Sequence, residues 1–208
     1  MVTSLNGINN TINDWLELAK KLQAEHPPGA LIIGLFNETQ SVPVDVGRTM
    51  FEKGGYKTKS VRALDALFTN LIDIIKASAP TTKISHICHS EAGAVYYSMY
   101  QNATKELKDD INQYINCVAF GPAECIPKAF GYKVLNIYSD KDFVTGRYAK
   151  PNDPLYDVKI VSAITPWWQR MGYLADHGIL KPTYSFHRQD YIRDIKKNKG
   201  GYYVPGSR

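Results

Sequence analysis

The sequence predicts an α/β fold in which a mostly parallel sheet of about six strands is doubly wound, with helices on both faces. Segments of strand periodicity alternate with segments of helical periodicity along the chain, which is the pattern of parallel strands joined by crossovers. Segment 30–35 is a continuous apolar run, as expected of a strand covered on both faces. The 208 residues, 44% of them hydrophobic, suffice for one such domain, either a whole protein or one domain of a longer one.

The elements follow one another in a regular order. A strand at 2–5 precedes a helix that begins at the capping sequence Thr11-Ile-Asn-Asp14 and ends before Pro27. The buried face of this helix is predicted from residues at helical spacing, namely Ile12, Trp15, Leu16, Ala19 and Leu22. After the apolar strand 30–35, we expect helices near 44–53, 62–78, 91–101, 104–114 and 186–197, and strands at 84–88, 115–120, 133–138 and 158–163.

The most informative segment is 83–100, where a strand pattern passes into a helix pattern at Ser90 with almost no loop between them. This arrangement is typical of a nucleophile elbow, which presents a serine hydroxyl at the edge of the sheet. Against the pattern Gly-x-Ser-x-Gly, Cys88 and Ala92 replace the glycines and Gly93 follows one place later. Since these residues are small, a close approach of strand and helix is still expected. The alternative is that Ser90 only caps the helix.

Two carboxylates follow the strand at 133–138. Asp140 and Asp142 leave its carboxyl end, the edge at which parallel sheets bind their ligands. A carboxylate here can orient a histidine and stabilise its imidazolium. We prefer Asp142, because an Asp followed by an apolar residue and then Val resembles the acid loop of α/β-hydrolases, and keep Asp140 as the second candidate. As turn formers, both would be ordinary loop residues.

Of the five histidines, His177 is the preferred general base. It lies in an irregular segment between the last strand and the last helix, from which a side chain can reach the elbow. His187 falls within the last helix and is the alternative if that helix begins later than expected. The chain order of the candidate triad is then Ser90, Asp142, His177.

An oxyanion hole needs two backbone N–H groups aimed at the developing negative charge. Glu91, the residue after the serine, is expected to supply one, and Ile8, in the loop after the first strand, the other. Asn6 and Gly7 begin this loop and are candidate substrate-binding residues, because Gly7 lets the backbone turn where a side chain would block it. An ordinary Asn-Gly turn is the alternative.

Composition and residue spacing argue against a nucleic-acid-binding, metal-binding, disulfide-rich or membrane-spanning protein. The net charge of +5 is scattered, apart from a basic run at 193–199 that suits the end of a helix, and no nucleic-acid-binding motif is present. Cys88, Cys117 and Cys125 lack metal-ligand spacing and a disulfide pattern, so we expect buried thiols and no cofactor. With no signal peptide and no 18-residue apolar run, the expected location is cytoplasmic, or outside the cell by export without a Sec signal.

Three features together resemble the α/β-hydrolase fold, in a small form without the first antiparallel strands: the order of the elements, the elbow at Ser90 and the acid loop after the strand at 133–138. The chain also resembles a poorly characterised lipase-like family of chlamydiae and their relatives. Departures from the hydrolase pattern are Cys88, Ala92, and Asn6 where many lipases have His. The motifs that carry the family resemblance are Asn-Gly-Ile-Asn-Asn-Thr from residue 6, Phe-Asn-Glu-Thr from residue 36, His-Ser-Glu-Ala-Gly from residue 89 and Asp-His-Gly-Ile from residue 176.

The resemblance implies a bacterial serine hydrolase of esterase or lipase type that acts on a small-molecule or lipid carboxylic ester through an acyl-enzyme. Trp167 and Trp168, close to His177 in the chain, would line an acyl pocket or meet a lipid surface, unless they only pack. Transfer of the acyl group to an alcohol or thiol would use the same residues. The alternative from another class is a catalytically inactive hydrolase-fold domain that acts by binding, as an effector or as part of a larger protein.

Overall fold

The computed structural model describes residues 1–7, 11–37, 42–142, 145–164, 177, 179 and 182–197. Within them the chain is α/β, as predicted. The strands are β1 Val2–Leu5, β2 Ile32–Leu35, β3 Ile84–His89, β4 Ile115–Phe120, β5 Lys133–Ser139 and β6 Val158–Val161. The helices are α1 Ile12–Glu25, α2 Val42–Lys53, α3 Lys59–Ser78, α4 Glu91–Asn102, α5 Lys105–Tyr114 and α6 Pro182–Lys197, with one 3-10 turn at Gly146–Tyr148.

The six strands form one sheet in the order β2-β1-β3-β4-β5-β6. Every neighbouring pair is parallel, which confirms the predicted parallel sheet. From β1 the chain first moves outward to β2 and then returns to the other side of β1 to form β3. The strand order therefore reverses between β1 and β3, and the crevice at the carboxyl ends of these two strands is where open α/β sheets bind ligands.

Helices cover both faces of the sheet, as the prediction of a doubly wound sheet requires. Alternate residues of a strand point to opposite faces, and β3 shows this directly. Ile84 and Cys88 belong to the apolar cluster that includes side chains of α3, α4 and α5. Ile87, between them, belongs to the cluster that includes α1 and α6. The elbow at the end of β3 thus has packed side chains on both of its sides.

Helix α1 buries only part of the predicted face. Its start is as predicted, since Thr11 and Asp14 form a capping box. Of the predicted residues, Leu22 is buried and Trp15 and Ala19 are half-buried. Ile12 and Leu16, however, are 50% and 43% exposed, and Leu18, which was not predicted, is buried. The helix is rotated about its axis so that Leu18 and Leu22 face the sheet and join the cluster of Val2. Leu16 lies about 160° around the helix from Leu18 and so faces away from the sheet.

The last helix, α6, begins at Pro182, four residues before the expected start. His187 lies inside it, as predicted. No helix within the described ranges combines the length and apolar character that a membrane crossing requires. The three cysteines are buried free thiols, in agreement with the prediction.

Candidate active site

Ser90 occupies the sharp turn between the end of β3 and the start of α4. Its backbone has φ +58° and ψ −121°, and it is the one non-glycine residue with positive φ among those described. The turn is held by backbone hydrogen bonds, because Ser90 N–H donates to Phe120 (3.2 Å) and its carbonyl accepts from Gly93 (3.0 Å) and Ala123 (2.8 Å). Ser90 occupies the N-cap position of α4, but its side chain makes no capping hydrogen bond, so side-chain capping does not account for a serine here.

The close approaches at the elbow are made at Gly7 and Gly93. A Cβ on Gly7 would lie 2.6 Å from Ser90 Cβ, and a Cβ on Gly93 would lie 2.4 Å from Pro122 Cβ. Both distances are far below ordinary carbon–carbon contact. The first of these glycines lies in the loop after β1 rather than in β3. The tight contact with Ser90 is therefore made at Gly7 and not at residue 88, which is compatible with Cys88 at the position where the pattern has glycine.

His177 joins Ser90 to Asp142. Its Nε2 is 2.8 Å from Ser90 Oγ, and its Nδ1 is 2.9 Å from Asp142 Oδ2. Because the ionised carboxylate can only accept, Nδ1 carries the proton and Nε2 is the acceptor of the Ser90 hydroxyl. All three residues are buried, with exposed fractions of 4%, 4% and 8% for Ser90, Asp142 and His177. The structure therefore brings the three predicted residues into one hydrogen-bonded chain.

The Asp142 carboxylate is surrounded by donors. Besides His177, Oδ2 accepts from Tyr184 OH (2.6 Å) and Thr145 Oγ (2.8 Å), and Oδ1 accepts from the Thr145 backbone (3.0 Å). Burial alone would raise the pKa of Asp142, but the hydrogen bonds from His177, Tyr184 and Thr145 outweigh it and lower the pKa to about 2. The group is thus a fixed anion facing the histidine. Asp140, the other candidate, is exposed and accepts from Ala163 N–H (2.9 Å).

Tyr184 and Gly121 were not expected from the sequence. Tyr184 bridges Asp142 and the β5 strand end, since its hydroxyl also accepts from Ser139 N–H (3.1 Å). Gly121 provides the space for this arrangement, because a Cβ there would lie 2.7 Å from both Asp142 Oδ2 and Tyr184 OH. A tyrosine in the first turn of a helix and a glycine after a strand carry no local pattern that points to this role.

A buried polar network supports the elbow from the side of β2. The Glu91 carboxylate accepts from Arg48 Nε (2.7 Å) and Nη2 (3.1 Å) and from Asn37 Nδ2 (2.5 Å). Asn37 in turn exchanges two hydrogen bonds with Asn6, at 2.7 and 3.0 Å, and Asn6 also donates to the Gly7 carbonyl (2.9 Å). The network therefore connects the loops that follow β1, β2 and β3.

Asn6 holds the loop that follows β1. It is 4% exposed, and its side-chain amide bonds the backbones of Gly7 and Asn37, while its contact with a substrate stays a prediction. Gly7 lies against Ser90, and the Glu91 backbone N–H stands at the N-terminal end of α4, where the helix dipole favours negative charge. Ile8, Trp167 and Trp168 lie outside the described residues.

Comparison with known proteins adds no relative. No protein-family model matches the chain, and a search of curated proteins finds no significant match. A function for the chain is therefore inferred from the geometry and chemistry of the site itself.

Proposed function

We propose that the chain is a serine hydrolase of esterase or lipase type, which cleaves a carboxylic ester through an acyl-enzyme. The observation that carries the proposal is the chain of hydrogen bonds from Ser90 through His177 to Asp142, at a serine held in a strained turn. Its place at the reversal of the strand order adds support, because this crevice is where such sheets bind ligands.

In the proposed reaction, His177 Nε2 takes the hydroxyl proton as Ser90 Oγ attacks the ester carbonyl carbon. The tetrahedral intermediate collapses when the imidazolium gives its proton to the alkoxide leaving group, which departs as an alcohol. Water then enters, loses a proton to His177 and attacks the acyl carbon, and the returning proton restores Ser90 as the acid is released. Asp142, an anion with a lowered pKa, stabilises the imidazolium in both halves.

The oxyanion in this scheme is bound by the Glu91 backbone N–H at the start of α4, together with a donor from the loop that follows Gly7, for which Ile8 is the candidate. The buried network behind both loops supports this assignment. It holds Gly7 through Asn6 and Glu91 through Arg48 and Asn37, so the Glu91 donor and the residue that precedes Ile8 are held in place before substrate binds. Such preorganisation is usually the largest electrostatic contribution in acyl transfer.

Two assays test the proposal: covalent labelling by a fluorophosphonate probe and hydrolysis of p-nitrophenyl acetate. Wild type is expected to be labelled on Ser90, and Ser90→Ala and His177→Ala should each lose activity by several orders of magnitude, since loss of either residue in subtilisin costs about 10⁶-fold. Ser78→Ala, at an exposed serine of α3, and His187→Ala, inside α6, are the matched controls and should keep wild-type rates.

The outcomes separate the two classes of function. If a folded wild-type protein is neither labelled nor active on short and long acyl esters, the enzyme proposal fails and the binding domain is favoured. If Ser90→Ala keeps the wild-type labelling, Ser90 is not the nucleophile. Adding an alcohol or thiol acceptor to the assay distinguishes acyl transfer from hydrolysis.

A further inference from the structure

The position of the proposed base depends on the contacts that hold its backbone. His177 lies between β6 and α6, and it has to keep its two ring nitrogens within hydrogen-bond distance of Ser90 and Asp142 at once. A displacement of about 1 Å in such an arrangement is sufficient to lower a catalytic rate by about 10²-fold. The contacts that fix the backbone of this segment are therefore part of the proposed machinery.

His89, the last residue of β3, makes one of these contacts. Its Nε2 forms a short hydrogen bond with the His177 carbonyl oxygen, and the two imidazole rings are 4.9 Å apart. Because a carbonyl oxygen only accepts, the proton is on Nε2 of His89. Its Nδ1 is buried and has no hydrogen-bond partner among the described residues. The N–H group of the His89 ring is therefore used to bind the backbone of His177.

A second contact holds the backbone two residues later, at Ile179. The Arg188 side chain of α6 is fully buried and donates from Nη1 to the Ile179 carbonyl (3.1 Å). Its other nitrogens form an ion pair with Glu25 at the end of α1, with distances of 2.8 and 3.1 Å. His89 thus anchors the segment to β3, next to Ser90, while Arg188 anchors it to the flanking helices.

The charge state of His89 also suits this position. Burial, and then the neighbouring His177, lower the pKa of His89 to about 3, so the ring is neutral in the working range of a hydrolase. A cation at this distance from His177 would oppose the imidazolium that forms when Ser90 loses its proton. A neutral donor holds the backbone without that penalty.

We propose that His89 is a positioning residue for the base: it fixes His177 by donating Nε2–H to the His177 carbonyl and contributes no charge. The inference rests on the proposed function, and it adds a residue that acts on the reaction only through His177. His89 is adjacent to the nucleophile in sequence, so the same turn that presents Ser90 also locates its base.

Three substitutions test the hydrogen bond. His89→Gln carries an N–H donor as many bonds from Cα as Nε2, whereas the donor of His89→Asn is one bond shorter, and His89→Phe keeps the ring without a donor. The Gln variant is expected to stay within about threefold of the wild-type fluorophosphonate labelling rate. The Asn and Phe variants should lose about tenfold or more in kcat with KM nearly unchanged, since the base is displaced and no substrate contact is removed.

Imidazole ¹⁵N NMR gives a readout independent of activity. It should show His89 as the Nε2–H tautomer in wild type, and the His177 ring signals should shift in His89→Phe but not in His89→Gln. An active wild type with wild-type kcat in the Phe variant would overturn the positioning role and leave the hydrolase proposal intact. An inactive, unlabelled wild type would defeat the hydrolase proposal, and the catalytic part of this inference with it. Unchanged His177 signals in His89→Phe would overturn the anchoring itself in either case.

Discussion

Gly7→Ala should disable the site while leaving the protein folded. The new Cβ would lie 2.6 Å from Ser90 Cβ, 2.9 Å from the His89 carbonyl oxygen and 3.2 Å from Ser90 Oγ. Ordinary carbon contact is about 3.5–4 Å, so the loop after β1 and the elbow must separate by about 1 Å. Overpacking of this kind costs about 1–3 kcal/mol of stability, and a shift of about 1 Å at the nucleophile predicts a loss of about 10²-fold in kcat/KM.

Gly34→Ala is the control for overpacking away from the site. Its Cβ would lie 1.9 Å from the Trp15 ring, and Gly34 is on β2, two strands away from β3. Both variants should unfold at lower denaturant concentration, but only Gly7→Ala should lose hydrolysis of p-nitrophenyl acetate and fluorophosphonate labelling. If Gly7→Ala keeps activity within about threefold of wild type, or if Gly34→Ala loses as much, the close approach of Gly7 is not what sets the geometry at Ser90.

Three further predictions concern single side chains. Asp142→Asn should lower kcat by about 10³-fold or more, and Asp140→Asn by less than about threefold, because only Asp142 orients His177; equal losses in the esterase assay would contradict the assignment. Burial raises the pKa of Glu52 from 4.5 to about 7. Between pH 4.5 and pH 7, the folded state therefore keeps a proton on Glu52 that the unfolded chain releases. The free energy of unfolding falls as the pH rises through this range, because the charged carboxylate is unfavourable in its buried site. In urea unfolding, the stability of Glu52→Gln relative to wild type should therefore rise by roughly 3 kcal/mol from pH 4.5 to pH 7.5, and a constant difference would refute the raised pKa. Ser90→Gly should be about 1–2 kcal/mol more stable than Ser90→Ala, since glycine adopts positive φ without strain; the reverse order would show that the turn is unstrained.

The sheet and the three central residues were predictable because their signals are local. Strand and helix periodicity located each strand to within about two residues, and the abrupt change of period marked Ser90. Asp142 and His177 were then found from their positions after later strands, since parallel strands end at one edge of the sheet. Gly93 was visible as a small residue near the elbow, although only the structure shows that it lies against Pro122.

The supporting residues were not predictable, because their partners are far away in the chain. Tyr184 reaches Asp142 from 42 residues away and Asn37 reaches Glu91 from 54 residues away. No spacing rule connects such pairs. The face of α1 was only partly right for a related reason. Helical spacing defines an apolar stripe, but contacts with the sheet decide how the helix is rotated, and here Leu18 and Leu22 face the core while Ile12 and Leu16 are exposed.

The backbone strain and the buried charge found around Ser90 favour a functional interpretation of the elbow. A serine at φ +58° stores about 1–3 kcal/mol of strain, and its hydroxyl does not offset this by capping α4. Next to it, Asp142 and Glu91 are buried carboxylates that require hydrogen bonds from five other side chains and one backbone N–H. Selection for stability alone would place glycine at the turn and apolar residues beneath it. Strain and buried charge concentrated around one hydroxyl are the expected cost of holding a nucleophile, its base and its oxyanion donors in a fixed geometry before substrate arrives.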